Sequence, residues 1–183
     1  TTQLGRVFVD EGSLPDDDGA LEVLDHERAS AVVEGAKAIG VGLCYCRHKM
    51  SHLGRACDAP MDLCMTFGAC ADALTRRGAA RAVDRMEALD LLEQARERRL
   101  VQFGENVRRD VAFICNCCGC CCEALVAARR FGFMHPVHTT DWIPELAGDR
   151  CNGCGLCVTA CPVEALSLVS AHDPERAAAK VAR

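Results

Sequence analysis

Apolar side chains recur at helical spacing along the stretch that begins at Asp25, where Ala29, Val32, Val33, Ala36 and Ile39 are followed by Gly40 and Gly42. With Asp25 as a cap and the two glycines as a stop, the pattern predicts a helix that delivers the chain to Cys44. Pro60, a residue favoured in a first helical turn, begins a second predicted helix through Leu63, Phe67 and Leu74 to Gly78. A third starts at Asp84, with Glu87 completing a capping-box pattern. Ala88, Leu89, Leu92 and Ala95 form its apolar face, and Arg96, Arg98 and Arg99 its basic end. Residues 123–131 read as another helix, and the closing DPERAAAKVAR as a solvated helical tail. Strand-like patterning is confined to residues 6–9 and 111–114. The acidic stretch GSLPDDDG reads as a loop or linker.

Composition changes this picture in one respect. The 183 residues include 27 Ala and 15 Cys, so large apolar side chains are fewer than the 50% hydrophobic content suggests. A chain so dependent on cysteine is expected to be largely unfolded when any bound metal is removed. The net charge of −5 argues against a nucleic-acid-binding surface. No uninterrupted apolar run reaches roughly 18 residues, so membrane insertion is not expected. The opening TTQLGRVFVD lacks the pattern of a secretory leader, and a reducing, cytoplasmic location is the expectation. Nucleotide fingerprints, phosphate-binding loops and nucleophile elbows are absent from the sequence, and no catalytic residue is assigned.

The cysteines form three groups. Cys151, Cys154, Cys157 and Cys161, followed by Pro162, match CxxCxxCxxxCP without a gap. That spacing lets three thiolates wrap three corners of a [4Fe–4S] cluster, while Pro162 begins a short helix and directs Cys161 to a second cluster. A zinc site built from the CxxC pairs competes with this reading but gives no reason for the terminal CP. The middle group, Cys115, Cys117, Cys118, Cys120, Cys121 and Cys122, hides a second CxxCxxC in Cys115, Cys118 and Cys121. The economical assignment joins these three with Cys161, while Cys151, Cys154 and Cys157 take a fourth ligand from Cys117, Cys120 or Cys122. Cys44, Cys46, Cys57 and Cys64 suffice for a third cluster, with Cys70 an equally available substitute. Arg47, His48, Lys49, His52 and Arg55 crowd this last segment. They read either as a solvated basic loop or as charges that tune a cluster or dock an acidic partner.

At CNGCGLCVTACP the chain resembles the bacterial 4Fe–4S ferredoxin family. The longer pattern, GLCYCRHKMSHLGRACDAPMDLC followed by NVRRDVAFICNCCGCCCEAL, is similar to multi-cluster 4Fe–4S-binding ferredoxin-like proteins of anaerobic bacteria. The expected fold is accordingly α+β and α-rich, a helical N-terminal region preceding a ferredoxin-like iron–sulfur domain. The expected divisions are an N-terminal extension (1–24), a helical cysteine-bearing region (25–110), a ferredoxin-like cluster domain (111–172) and the helical tail (173–183). The resemblance implies cluster binding at Cys151, Cys154, Cys157 and Cys161 and at the upstream cysteines; because ligation by Cys alone leaves no iron open to substrate, the expectation is an electron-transfer protein or subunit of an oxidoreductase complex, carrying two to three [4Fe–4S] clusters and passing single electrons between redox protein partners. An oxidoreductase with an unusual catalytic cluster in CNCCGCCC, and a redox sensor, are the competing functions.

Overall fold

The computed structural model describes residues 3–14, 23–138, 148–162 and 164–169. The expected tail, and the acidic stretch beyond Leu14, lie outside these residues. In chain order the elements are β1 (Gly5–Val7), α1 (Ala29–Gly35), β2 (Ile39–Gly42), α2 (Tyr45–His52), β3 (Cys64–Phe67) and α3 (Gly68–Arg76). They continue with β4 (Ala80–Val83), α4 (Arg85–Glu97), β5 (Val101–Gly104), β6 (Phe113–Cys117), α5 (Glu123–Arg130), β7 (Val137–His138) and α6 (Leu156–Ala160).

The strands form one seven-stranded sheet in the order β4-β2-β3-β6-β5-β1-β7. The β1–β7 pair is parallel and the other pairs are antiparallel. This mixed α/β architecture corrects the expected α-rich fold with a helical N-terminal region. The physical reason lies in the lengths of the strands. Residues 39–42 alternate, with Ile39 and Val41 buried on one face of the sheet. Over four residues a period of two cannot be told from the continuation of a helix. Likewise β3 buries Met65 and Phe67 and passes directly into α3, so residues 60–78 mimic one long helical pattern. Residues 164–169 carry no helix after Pro162, and the short helix of the run is instead α6, which contains Cys157 and ends just before Cys161.

Longer patterns are realised as read. Asp84 Oδ1 accepts the Glu87 amide at 2.9 Å at the start of α4, and α5 occupies most of the helix expected at 123–131. The strand expected at 111–114 begins at Phe113 and extends into the cysteines.

The two faces of the sheet differ in chemistry. On one, Ile39, Val41, Met65, Phe67 and Ile114 pack against Ala29 and Val33 of α1 and Ala88 and Leu92 of α4. On the other, Phe103, Cys117 and Val137 pack with Cys122 and with Leu125 of α5. Strands on either side of residue 110 share this sheet, and β6 lies between β3 and β5. That central place carries the CNCCGCCC segment onto the second face.

Candidate metal centre

Strand register gathers the first set of thiols. Met65 pairs with Ile114 across the antiparallel β3–β6 ladder, which sets Cys64 opposite Cys115. Cys117 lies two residues further along and therefore on the same face. Gly42 pairs with Cys64, bringing the end of β2 alongside. The Cys44 amide then donates to the Met61 carbonyl at 2.6 Å, fixing the approach to α2. Cys46 lies in the first turn of α2, and Cys122 holds the N-cap position of α5.

The resulting thiol contacts run without a break from Cys44 to Cys64, Cys115, Cys117, Cys122 and Cys46. Hydrogen bonds from Cys117 and Cys64 hold the Cys115 thiol down at about 4. Those from Cys117 and Cys46, helped by the Leu125 and Ala124 amides at the start of α5, hold Cys122 at about 3. The donors move the other way. Cys64 is pushed up to about 12, first by its bond to Cys115, and Cys44, Cys46 and Cys117 are raised by donation to their neighbours and by burial. Cys115 and Cys122, the two lowered thiols, are thus each flanked by raised ones, and a metal that displaces those protons would find six sulfurs already in contact.

A second set is compact. The Sγ atoms of Cys57, Cys118, Cys120 and Cys121 all lie within 4.8 Å of one another. Cys120 and Cys121 are 3.7 Å apart, and Cys121 and Cys57 are 3.8 Å apart. Amide hydrogens are turned onto this sulfur, from Cys121 to Cys118 and from Cys57 to Cys121.

Arg47 stands beside both sets. Its side chain, on α2, is 0% exposed, and its guanidinium donates to the carbonyls of Pro60 and Asn116. Nε has no partner. Burial opposes the charge, but hydrogen bonding with Cys118 and the nearby Cys44 and Cys57 keep it in place. Burial likewise pushes Cys118 up, and Arg47, the Cys121 amide and Cys57 together more than reverse this, leaving the thiol below its ordinary value. The other basic residues of the segment stay outside: Lys49 pairs with Glu123, and the His48 and His52 rings contact each other at 4.6 Å.

The third set is the exposed run. Cys151, Cys154 and Cys157 are exposed and Cys161 is half-buried. Gly153 and Gly155 have φ of 72° and 75°, a left-handed conformation that lets the chain curl between the cysteines. The Ala165 amide donates to Cys161 Sγ at 3.3 Å. Pro162 packs onto the CNCCGCCC loop so closely that a Cβ on Gly119 would lie 1.8 Å from the Pro162 carbonyl oxygen. An ion pair of 2.6 Å from Arg129 of α5 to Glu164 fastens the same junction.

The grouping in space thus cuts across the grouping in sequence. Cys57 stands with Cys118, Cys120 and Cys121, whereas Cys44, Cys46 and Cys64 stand with Cys115, Cys117 and Cys122. Cys70 stands apart on α3, lining a groove with His26, Phe67, Arg108 and Arg109. Among the described residues no helix is long and apolar enough to cross a membrane. Comparison with curated proteins and with solved structures gives no match. Residues 148–167 match the 4Fe-4S binding domain family, which together with the clustered cysteines supports an iron–sulfur protein.

Proposed function

We propose that the protein transfers single electrons between redox partners through [4Fe–4S] clusters, one held at the exposed run and at least one more by the buried seam. The observation that carries this reading is the junction of Pro162 with Gly119, which joins a cluster-binding segment at the surface to a body lined with buried thiols. Cys151, Cys154 and Cys157 supply three corners of the exposed cluster, and Cys161 leads toward the interior. Cys44, Cys46, Cys64, Cys115, Cys117 and Cys122 are the donors for the buried one. Their number and spread exceed what a single ion requires. A bound [4Fe–4S] cluster supplies reversible one-electron chemistry. The chain's part is to exclude water at the buried seam and to offer N–H groups to sulfur, as the Ala165 amide does to Cys161. The exposed cysteines provide the short approach that a partner needs.

The test is iron and acid-labile sulfide per chain, with low-temperature EPR of the oxidised and dithionite-reduced protein, all under anaerobic conditions. At least two cubane signals that interact on reduction are expected, and Cys154→Ser should remove about four irons and leave the interior signal. A protein without labile sulfide, or without reversible one-electron reduction, would overturn the reading.

A further inference from the structure

We infer that Cys57, Cys118, Cys120 and Cys121 form a separate site for one tetrahedrally coordinated metal ion, zinc or iron, without sulfide. Four ligands at the corners of a tetrahedron about one ion, with metal–sulfur bonds of about 2.3 Å, have sulfurs about 3.8 Å apart. The two closest pairs, Cys120–Cys121 and Cys121–Cys57, stand 3.7 and 3.8 Å apart, and all four sulfurs lie within 4.8 Å of one another. A cubane has a different requirement. Its four thiolates cap four separate irons and point outward from four corners, so no two share an ion and their sulfurs stand much further apart. The quartet has no room for that body between its sulfurs.

Charge supplies an independent argument. Four thiolates around a divalent ion carry a formal charge of about −2. Arg47, fully buried, donates its terminal nitrogens to carbonyls and to Cys118, and among the ion pairs of the described residues none joins Arg47 to a carboxylate. A buried cation in this position calls for an anionic neighbour. The tetrathiolate supplies one through Cys118 and Cys57. The amides of Cys57 and Cys121 aimed at sulfur serve the same end, since metal-bound thiolates are stabilised by outer N–H donors.

Binding the ion displaces the remaining thiol protons to solvent, and no electron is exchanged. The position of the site between the loop after α2 and the loop before α5 makes it a staple. It would hold the CNCCGCCC loop in place beneath Pro162. This assignment is independent of the electron-transfer reading, because a mononuclear site adds metal and no sulfide.

The experiment is total metal, by plasma mass spectrometry, and acid-labile sulfide on the anaerobically purified full chain, alongside Cys57→Ser and Cys120→Ser. In the unaltered protein, metal should exceed sulfide by one atom per chain, since each cubane contributes equal numbers of both. Each variant should lose that one atom and keep its sulfide. The identity of the lost atom separates zinc from iron, and an iron site also gives a mononuclear high-spin ferric EPR signal on oxidation. Cys120 is exposed, so its variant remains informative if Cys57→Ser fails to fold. Equal metal and sulfide in the unaltered protein, or a variant that loses several irons together with sulfide, or one that loses no metal, would overturn the site. Absence of sulfide with one metal retained would instead sink the cluster reading and leave this one standing.

Discussion

Arg47 concentrates the chemistry of the interior in one side chain. In the sequence it is one of five basic residues within nine positions, and nothing local separates it from Lys49 or Arg55. Its burial depends on the Asn116 carbonyl, which comes from a strand 69 residues away. Only the insertion of β6 beside β3 creates that acceptor, so the role was not legible. Arg47→Gln should lower the stability of the metal-loaded protein by about 3 kcal/mol, because it leaves buried thiolates without their cation. Denaturant titration under anaerobic conditions measures this. Arg47→Lys should fall between the two, since a single ammonium retains charge but lacks the fork that reaches two carbonyls. Equal stability of all three proteins would show that the cation is not coupled to the thiols.

At the scale of elements, legibility follows length and local closure. The 13 residues of α4 carry their own cap, Asp84, as well as their periodicity, and the eight of α5 carry periodicity alone, yet both are readable. The four-residue strands β2 and β3 have neither, and they are strands because partners elsewhere in the chain supply their hydrogen bonds. The cysteine groups obey the same logic. Cys151 to Cys161 form a local motif, legible from spacing alone, whereas the quartet and the seam are made by register and loop packing across distant segments. One contact between elements is open to a direct test. Gly119→Ala places a methyl group against the backbone of Pro162, where no side-chain rotation relieves the clash. The run should then draw away from the loop while each segment keeps its own ligands. Iron and sulfide should be unchanged, but the interaction between reduced clusters in the EPR spectrum should weaken. An unaltered interaction would separate the Gly119–Pro162 junction from electron passage.

Across the whole molecule, the largest apolar cluster lies on one face of the sheet and the seam of thiols on the other, while Cys118 packs against Leu63, Ala95 and Leu100. The buried apolar set that includes Phe8, Val33, Ile39, Met65, Phe67, Leu92 and Ile114 contains no cysteine. The set on the other face counts Cys117 and Cys122 among its buried members, and Cys115 packs against it. Composition suggested that the chain would largely unfold without metal, because large apolar residues are scarce. Their distribution leads to a more specific outcome. Burying such side chains contributes roughly 1.5–3 kcal/mol each, and here the larger share is gathered in one layer, with Phe103, Leu125, Val137, Leu63 and Leu100 left among the thiols. Removing metal leaves that layer intact and deprives the other of its centre, so opening should be confined to part of the molecule. Hydrogen exchange with mass spectrometry, before and after anaerobic chelation, should find α1, α4, β2 and β3 still protected. Protection should fall in α2, in residues 115–122, in α5 and in the exposed run. Simultaneous loss in both layers would mean that the apolar face cannot stand without the metal face, and that the cysteines organise the entire fold.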